Sequence, residues 1–218
     1  MKNKNILFRI ASVFNNKINK INKINKINKT NKIYKIIIVG DSNTGKSFIV
    51  SKIISNENNI TKPTIGIEIT TKEIENENII FQFWDASTNT EYLTVKKIFY
   101  TNCDFAILTF SLNNMQSFEN LKLWINEMEF FNIFQNVPIN NSQYVNTNNK
   151  FPKIIFVGTT SLNSRSQISN NKIFEIKEGI ETKYKIKSEL FIIPIFEENT
   201  NDKCDKITNY FIDQIKKI

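Results

Sequence analysis

Residues 40–47 carry side chains and glycines at the spacing that binds phosphate groups. They read Gly-Asp-Ser-Asn-Thr-Gly-Lys-Ser and fit the pattern G-x-x-x-x-G-K-S/T. The two glycines allow the backbone to turn and to approach an anion, and the loop N–H groups then point at its oxygens. The predicted phosphate-binding residues are Gly40, Asp41, Ser42, Asn43, Thr44, Gly45, Lys46 and Ser47.

Three residues of this loop have individual predicted roles. Lys46 would bridge the β- and γ-phosphates and act in catalysis, and Ser47 would ligate Mg²⁺. Asn43 lies where such loops need an unusual φ, which Asn tolerates better than most residues. The chain contains only five glycines, and two of them occupy the required positions, so a chance match is improbable.

The elements around the loop agree with the motif. The β-branched run at residues 34–39 predicts a buried strand before it, and residues 46–54 predict a helix after it. Further predicted strands are residues 65–74, 79–84, 105–110, 154–157 and 190–195, and further helices are 117–134, 171–184 and 202–217. This alternation predicts an α/β fold with a mostly parallel six-stranded sheet and helices on both faces.

Composition excludes several classes of function. The 218-residue chain has no histidine and two cysteines, so Ser-His catalysis, histidine zinc sites and a disulfide framework are excluded. Residues 1–35 carry ten of the 29 basic residues and no acid, which leaves 19 basic and 21 acidic residues in the rest. The net charge of +8 therefore belongs to the amino-terminal part, and a folded groove for nucleic acid is not expected.

The sequence predicts two regions, a leader at residues 1–33 and a nucleotide-binding domain at residues 34–218. The leader repeats Asn-Lys-Ile with a period of three, which does not match the helical period, so a solvated low-complexity arm is favoured. Two weaker interpretations are an amphipathic helix that makes peripheral membrane contact and an organelle-targeting peptide. Residues 135–150 are rich in Asn and predict a long loop.

Three further segments resemble the Ras superfamily, and within it the Rab branch. Residues 64–68 read Thr-Ile-Gly-Ile-Glu and are similar to the first-switch pattern T-I-G-V/I-D/E. Residues 83–85 resemble the strand that ends in W-D, and residues 117–120 with Trp124 resemble the Rab helix S-F-x-N followed by W. The resemblance covers residues 34–218 and rests on the order of these segments after the phosphate loop.

This resemblance implies the P-loop NTPase fold of small GTPases and a monomeric switch that binds GTP or GDP with Mg²⁺ in vesicle trafficking. Ser47, Thr64 and Asp85 would be the metal ligands, with Thr64 sensing the γ-phosphate and Asp85 acting through water. Effector proteins would bind the switch surface. Its implied effector-binding residues are Thr61, Lys62, Pro63, Thr64, Ile65, Gly66, Ile67, Glu68 and Ile69.

The catalytic part of the family pattern differs here. The family sequence D-T-A-G-Q reads Asp-Ala-Ser-Thr-Asn at residues 85–89. Thr88 replaces the glycine whose N–H meets the γ-phosphate, and Asn89 replaces the glutamine that orients the attacking water. A water displaced by about 1 Å can cost on the order of 10²-fold in rate, so slow hydrolysis is expected.

The base-reading motifs differ as well. The family sequence N-K-x-D is replaced by Thr159, Thr160, Ser161 and Leu162, which offer no carboxylate to the guanine N–H groups. Guanine selectivity is therefore expected to be weak. The family sequence S-A-K is replaced near Asn199 and Thr200, whose backbone still offers a donor to a base.

Three functions remain open at this point: a Rab-like switch, a pseudo-GTPase interaction module that does not cycle, and a P-loop protein that uses adenine or is unselective. The switch is preferred because of the loop, Thr64 and Asp85. The chain end shows no prenylatable cysteine, and Lys2 excludes myristoylation at that position. A cytoplasmic protein, peripheral on endomembranes through its basic leader or a partner, is expected.

Overall fold

The structure, a computed structural model, describes residues 31–55, 64, 66–87, 93–133, 152–160, 166–195 and 200–217. The strands are β1 (Lys32–Gly40), β2 (Ile67–Ile74), β3 (Ile79–Ala86), β4 (Phe105–Ser111), β5 (Lys153–Thr160) and β6 (Glu189–Pro194). The helices are α1 (Lys46–Ser55), α2 (Leu93–Tyr100), α3 (Met115–Glu119), α4 (Leu121–Ile133), α5 (Asn170–Tyr184) and α6 (Thr200–Lys216), and a short 3₁₀ turn covers Glu75–Glu77.

The six strands form one sheet in the order β2-β3-β1-β4-β5-β6. β2 is antiparallel to β3, and every other neighbouring pair is parallel. The predicted α/β fold with a mostly parallel six-stranded sheet is therefore confirmed. Because the strands β1, β3, β4, β5 and β6 run in one direction, their carboxyl ends lie at one edge, where a parallel sheet places its binding residues.

Alternate residues of the central strand β1 pack against two separate apolar layers. Ile37 and Val39 belong to a layer with α2, α3, α4 and α5, whereas Ile36 and Ile38 belong to one with α1 and α6. Both layers are rich in Phe and Ile side chains that are almost fully buried. Helices therefore cover both faces, and the sheet is held rigidly beneath the phosphate loop.

The predicted helix at residues 117–134 is two helices in the structure. α3 begins after Asn114, whose side chain accepts hydrogen bonds from two backbone N–H groups of the first turn. It ends at Asn120, and the N–H of Leu123 then bonds to the Asn120 carbonyl at 2.9 Å, a tightened i to i+3 contact. The apolar spacing continues across this junction, so the pattern alone did not show the break.

Most other predicted elements differ from the structure by one or two residues at their ends, the usual uncertainty of such boundaries. α2 had no counterpart in the sequence prediction, because it is only eight residues long. The leader up to residue 30 and the predicted loop at residues 135–150 lie outside the described residues. Among the helices that are described, none has the length and apolar character required to cross a membrane.

Candidate functional site

The phosphate loop leaves β1 at a glycine whose backbone conformation and surroundings both disfavour a side chain. Gly40 has φ +146°, and a Cβ there would lie 2.3 Å from both the carbonyl and the hydroxyl oxygen of Thr109. Gly45 has φ +81°, and its Cβ would lie 3.1 Å from Thr159 Cγ2. Asn43 adopts φ +62°, the unusual conformation that its position predicted. The spacing of the motif therefore reflects real backbone requirements.

Buried hydroxyl groups hold the loop against the sheet. Thr44 Oγ1 donates to the Asp41 carbonyl at 2.9 Å and lies 2.8 Å from Thr109 Oγ1. The Thr109 hydroxyl also lies 3.0 Å from the Val39 carbonyl oxygen, and both threonines are almost fully buried. Ser42 and Asn43 are exposed at the tip of the loop. The loop is thus shaped by contacts beneath it, and its tip faces solvent.

The Lys46 ammonium lies at the mouth of the loop. Its Nζ donates to the Gly40 carbonyl at 3.0 Å and to the Asp41 carbonyl at 2.8 Å. Burial lowers the pKa of this lysine, while the nearby carboxylates of Asp85 and Asp41 oppose that shift. The loop carbonyls therefore keep a partly desolvated cation at the point where a phosphate would be held.

Ser47, Thr64 and Asp85, the three predicted metal ligands, lie close together beside this lysine. Ser47 Oγ donates to Asp85 Oδ2 at 2.5 Å, and Thr64 Oγ1 donates to the same oxygen at 2.9 Å. The two hydroxyl oxygens are 3.0 Å apart. Asp85 is 3% exposed, and its Oδ1 has no hydrogen-bond partner among the residues that the structure describes. Hydroxyl and carboxylate oxygens are the donors that Mg²⁺ prefers.

The side chain of Asp41 is bound by the α3–α4 junction, a contact that sequence reasoning missed. Asn120 Nδ2 donates to Asp41 Oδ2 at 2.7 Å, and Trp124 Nε1 donates to Asp41 Oδ1 at 2.9 Å. Two sequence signals could have indicated it. Asn120 and Trp124 are four residues apart, so they share a helix face, and an acid within an anion-binding loop requires a partner.

The described part of the predicted effector stretch lies along the outer strand β2. Ile67, Glu68 and Ile69 pair with Ala86, Asp85 and Trp84 of β3, and Glu68 is exposed. Gly66 has φ +74°, and its carbonyl accepts a hydrogen bond from Ser87 N at 2.8 Å. Thr61, Lys62, Pro63 and Ile65 lie outside the described residues.

Two of the predicted base-binding residues, Thr159 and Thr200, use their hydroxyls within the protein. Thr159 Oγ1 donates to the Thr44 carbonyl at 3.1 Å and lies 3.3 Å from the Phe110 carbonyl oxygen. Thr200 Oγ1 donates to the Pro194 carbonyl at 2.7 Å. Thr160 ends β5, and its carbonyl accepts from Ile195 N at 2.8 Å. Thr159 therefore supports the phosphate loop from below.

Four other predicted site residues are not described. They are Thr88, Asn89, Leu162 and Asn199. Their predicted roles stay predictions.

A cavity between the loop, β3, α2 and α4 adjoins Lys46. Gly40, Lys46 and Trp124 line it together with Lys96 and Glu127. Lys96 Nζ of α2 forms an ion pair with Glu127 of α4 at 2.6 Å. This pair connects α2 with α4, the helix whose Trp124 binds Asp41.

Comparison with known proteins adds an independent observation. Residues 35–141 match the family model described as Roc, the Ras of Complex domain of DAPkinase. The chain is 35% identical over 96 residues to Ras-related protein RABG3f of Arabidopsis thaliana, which covers 43% of this chain and 47% of that protein. It is 36% identical to Ras-related protein Rab7A of Mesembryanthemum crystallinum over 43% of this chain and 46% of that protein.

A third relative matches to a similar extent. The putative Ras-related protein Rab-5B of Dictyostelium discoideum is 31% identical over 97 residues, which cover 44% of this chain and 45% of that protein. The matched part of the chain thus spans about half the length of these relatives. Its fold, its phosphate-loop geometry and these similarities together support a Rab-like small GTPase of the Ras superfamily.

Proposed function

We propose that this chain is a switch protein that binds GTP or GDP with Mg²⁺ and hydrolyses GTP slowly. The observation that carries the proposal is the meeting of Ser47, Thr64 and Asp85 within 3.0 Å of one another beside Lys46. These residues come from three separate segments, and no packing requirement of an apolar core explains a cluster of two hydroxyls and one carboxylate. Their convergence at the mouth of a phosphate loop supports nucleotide binding.

The residues present fit a magnesium ion. Asp85 is buried and presents Oδ1 without a hydrogen-bond partner in the described part of the chain, which is costly unless another group satisfies it. Ser47 and Thr64 would ligate Mg²⁺ through their hydroxyls, and Asp85 would hold it through water. When bound, the ion would neutralise charge on the β- and γ-phosphates.

The protein's own groups would supply the rest of phosphate binding. Loop N–H groups and the amino terminus of α1 face the anion, and Lys46 adds a positive charge. Lys46 already lies against two loop carbonyls, at 3.0 and 2.8 Å, so little rearrangement is needed to reach a phosphate. The γ-phosphate would order the stretch around Thr64, and effector proteins would recognise that ordered surface. A role in vesicle trafficking follows from the Rab-like relatives and belongs to this proposal.

Slow hydrolysis is proposed from the residues at the catalytic positions. Asn89 is one methylene shorter than the glutamine that orients water in the family, and Thr88 adds a side chain where the family has glycine. The second candidate function, an interaction module that binds nucleotide without cycling, is supported by the same two residues. The two candidates differ in whether bound GTP is converted to GDP.

Weak base selectivity is also proposed. The hydroxyl of Thr159 is directed to Thr44 and Phe110 within the protein, and the sequence through Leu162 contains no carboxylate for guanine. A site without buried partners for the base edge discriminates poorly. We expect GDP and ADP to differ in affinity by less than ~10³-fold, and a larger preference for guanine would contradict this reasoning.

The identity and amount of nucleotide carried by the purified protein test the proposed function. We expect close to one nucleotide per chain with Mg²⁺ present, strongly reduced in Lys46→Ala. Lys187→Ala is the matched control, because Lys187 is exposed and precedes β6, at the sheet edge opposite the phosphate loop. Nucleotide-free protein that shows no affinity for di- or triphosphates with or without Mg²⁺ would overturn the proposal. Single-turnover phosphate release then separates slow hydrolysis from a module that does not cycle.

A further inference from the structure

The position of Asp41 raises an electrostatic problem that the structure answers. Asp41 follows the first glycine of a loop whose purpose, under the proposed function, is to hold a polyphosphate. A free carboxylate there would repel the phosphates, because like charges at close range destabilise one another in a partly buried site. The backbone of Asp41 belongs to the loop, since its carbonyl accepts from Lys46 and Thr44.

The α3–α4 junction occupies both carboxylate oxygens. Asn120 Nδ2 lies 2.7 Å from Oδ2, and Trp124 Nε1 lies 2.9 Å from Oδ1. Both are hydrogen bonds from a neutral donor to a charged acceptor, which are stronger than neutral pairs. The carboxylate is therefore directed towards α4, while the Asp41 carbonyl faces the ammonium of Lys46.

Other contacts fix the two donors. Gln116 Nε2 donates to Asn120 Oδ1 at 2.9 Å, and this contact orients the Asn120 amide so that its N–H₂ group faces Asp41. Trp124 N bonds to the Asn120 carbonyl at 3.2 Å, which places the indole one turn along the same face. The break between α3 and α4 falls at Asn120, the residue that reaches the loop.

We infer that Asn120 and Trp124 are positioning residues that bind the Asp41 carboxylate and keep its charge away from the bound polyphosphate. This inference rests on the proposed function and deepens it, because it explains how a phosphate loop accommodates an acid. It also links nucleotide affinity to the α3–α4 junction, whose two donors would act on the phosphates through Asp41.

The test is a charge-rescue experiment on nucleotide affinity. Trp124→Phe keeps an aromatic ring and removes the N–H donor, and we expect it to weaken GDP binding about tenfold, the loss that one charge-assisted hydrogen bond can produce. Adding Asp41→Asn to Trp124→Phe removes the freed charge, and we expect GDP affinity to return to within about threefold of wild type. Calorimetric titration with GDP and Mg²⁺ measures both.

Two further measurements separate charge from packing. The deficit of Trp124→Phe should shrink at high salt, because ions screen repulsion between a partly exposed carboxylate and phosphate. Trp84→Phe is the matched control, because it also removes one indole N–H donor, which in Trp84 donates to Gln82. We expect it to change GDP affinity less than about threefold.

Specific results would overturn the inference. A double variant that binds as weakly as Trp124→Phe would show that lost packing, not freed charge, is responsible. Wild-type affinity in Trp124→Phe would show that the contact has no role. If Trp124→Phe does not fold, as judged by urea unfolding, Asn120→Ala with and without Asp41→Asn tests the same claim. Wild-type protein without any GDP affinity would instead remove the proposed function on which the inference depends.

Discussion

Replacing Gly40 with alanine should be among the most damaging single-methyl changes in the protein. The added Cβ would lie 2.3 Å from the Thr109 carbonyl oxygen, and a backbone atom cannot move aside as the end of a flexible side chain can. Gly40 pairs with Thr109 at the end of the β1–β4 ladder. The strands would have to separate there by about 1 Å to restore ordinary contact distances.

The cost can be worked from the contacts at this point. A residue with a side chain at φ +146° costs about 1–3 kcal/mol in backbone strain. Separating the strands also strains two buried contacts of Thr109 Oγ1, to Val39 at 3.0 Å and to Thr44 at 2.8 Å. Each is worth about 0.5–1.5 kcal/mol. The sum is about 2–6 kcal/mol, a large part of the ~5–15 kcal/mol that is typical for the free energy of unfolding of a domain.

Urea unfolding of three alanine variants provides the assay and its internal controls. Gly66 has φ +74° but no atom within 4 Å of an added Cβ, so Gly66→Ala should cost only backbone strain, about 1–2 kcal/mol. Gly179 lies within α5 in open space, so Gly179→Ala should stabilise by about 0.5–1 kcal/mol. From the most to the least stable, the expected order is Gly179→Ala, wild type, Gly66→Ala and Gly40→Ala. A Gly40→Ala variant within 1 kcal/mol of Gly66→Ala would refute the steric argument.

Three other predictions concern magnesium, pH and hydrolysis. Mg²⁺ should increase GDP affinity in wild type, and Asp85→Asn should reduce that increase by at least about tenfold, because an amide cannot supply the negative charge. GDP titrations with Mg²⁺ and with EDTA measure the increase, and an unchanged increase in the variant would contradict the prediction. Burial lowers the pKa of Lys35 to about 8, so between pH 8 and 10.5 the unfolded chain binds a proton that the folded protein lacks, and this residue makes the free energy of unfolding rise with pH by about 1–3 kcal/mol. Lys35→Met should remove that rise, and urea unfolding of the variant and of wild type at a series of pH values measures it. The comparison with wild type is needed because burial also raises the pKa of Cys103 to about 12, which makes the free energy of unfolding fall with pH above pH 9 in both proteins. Parallel curves for the two proteins would contradict the assignment to Lys35. The double variant Asn89→Gln with Thr88→Gly, which restores the family residues, should raise the single-turnover rate of GTP hydrolysis by on the order of 10²-fold. No increase would show that these two residues do not limit the rate.

The sequence predicts the phosphate loop well because its requirements are local. Gly40 and Gly45 adopt φ values that disfavour side chains, and Asn43 adopts the left-handed conformation that its type allows. The strands are equally local, since runs of buried Ile and Phe are typical of a parallel sheet covered on both faces. Right-handed crossovers limit the orders in which such strands can pair, but the observed order comes from the structure.

Tertiary contacts explain what the sequence does not predict. The junction at Asn120 interrupts no apolar periodicity, because Leu121, Ile125 and Met128 continue the buried stripe of Phe118. The convergence of Ser47 and Thr64 on Asp85 was implied by family resemblance, yet their spacing along the chain gives no distance. The contact between Trp124 and Asp41 joins residues 83 positions apart, and only the packing of α4 against the sheet brings them together.

The structure also separates two requirements that the motifs combine. The family resemblance implies that the segment at the end of β5 reads the base, and in this structure Thr159 of that segment also contacts the phosphate loop. Here Thr159 keeps the supporting role, because its buried hydroxyl donates to Thr44 at 3.1 Å and its methyl group faces Gly45. That role needs only a small side chain with one donor, whereas base reading needs a carboxylate that the segment lacks. Under the proposed weak base selectivity, the loop geometry persists without base reading, because different atoms maintain the two properties.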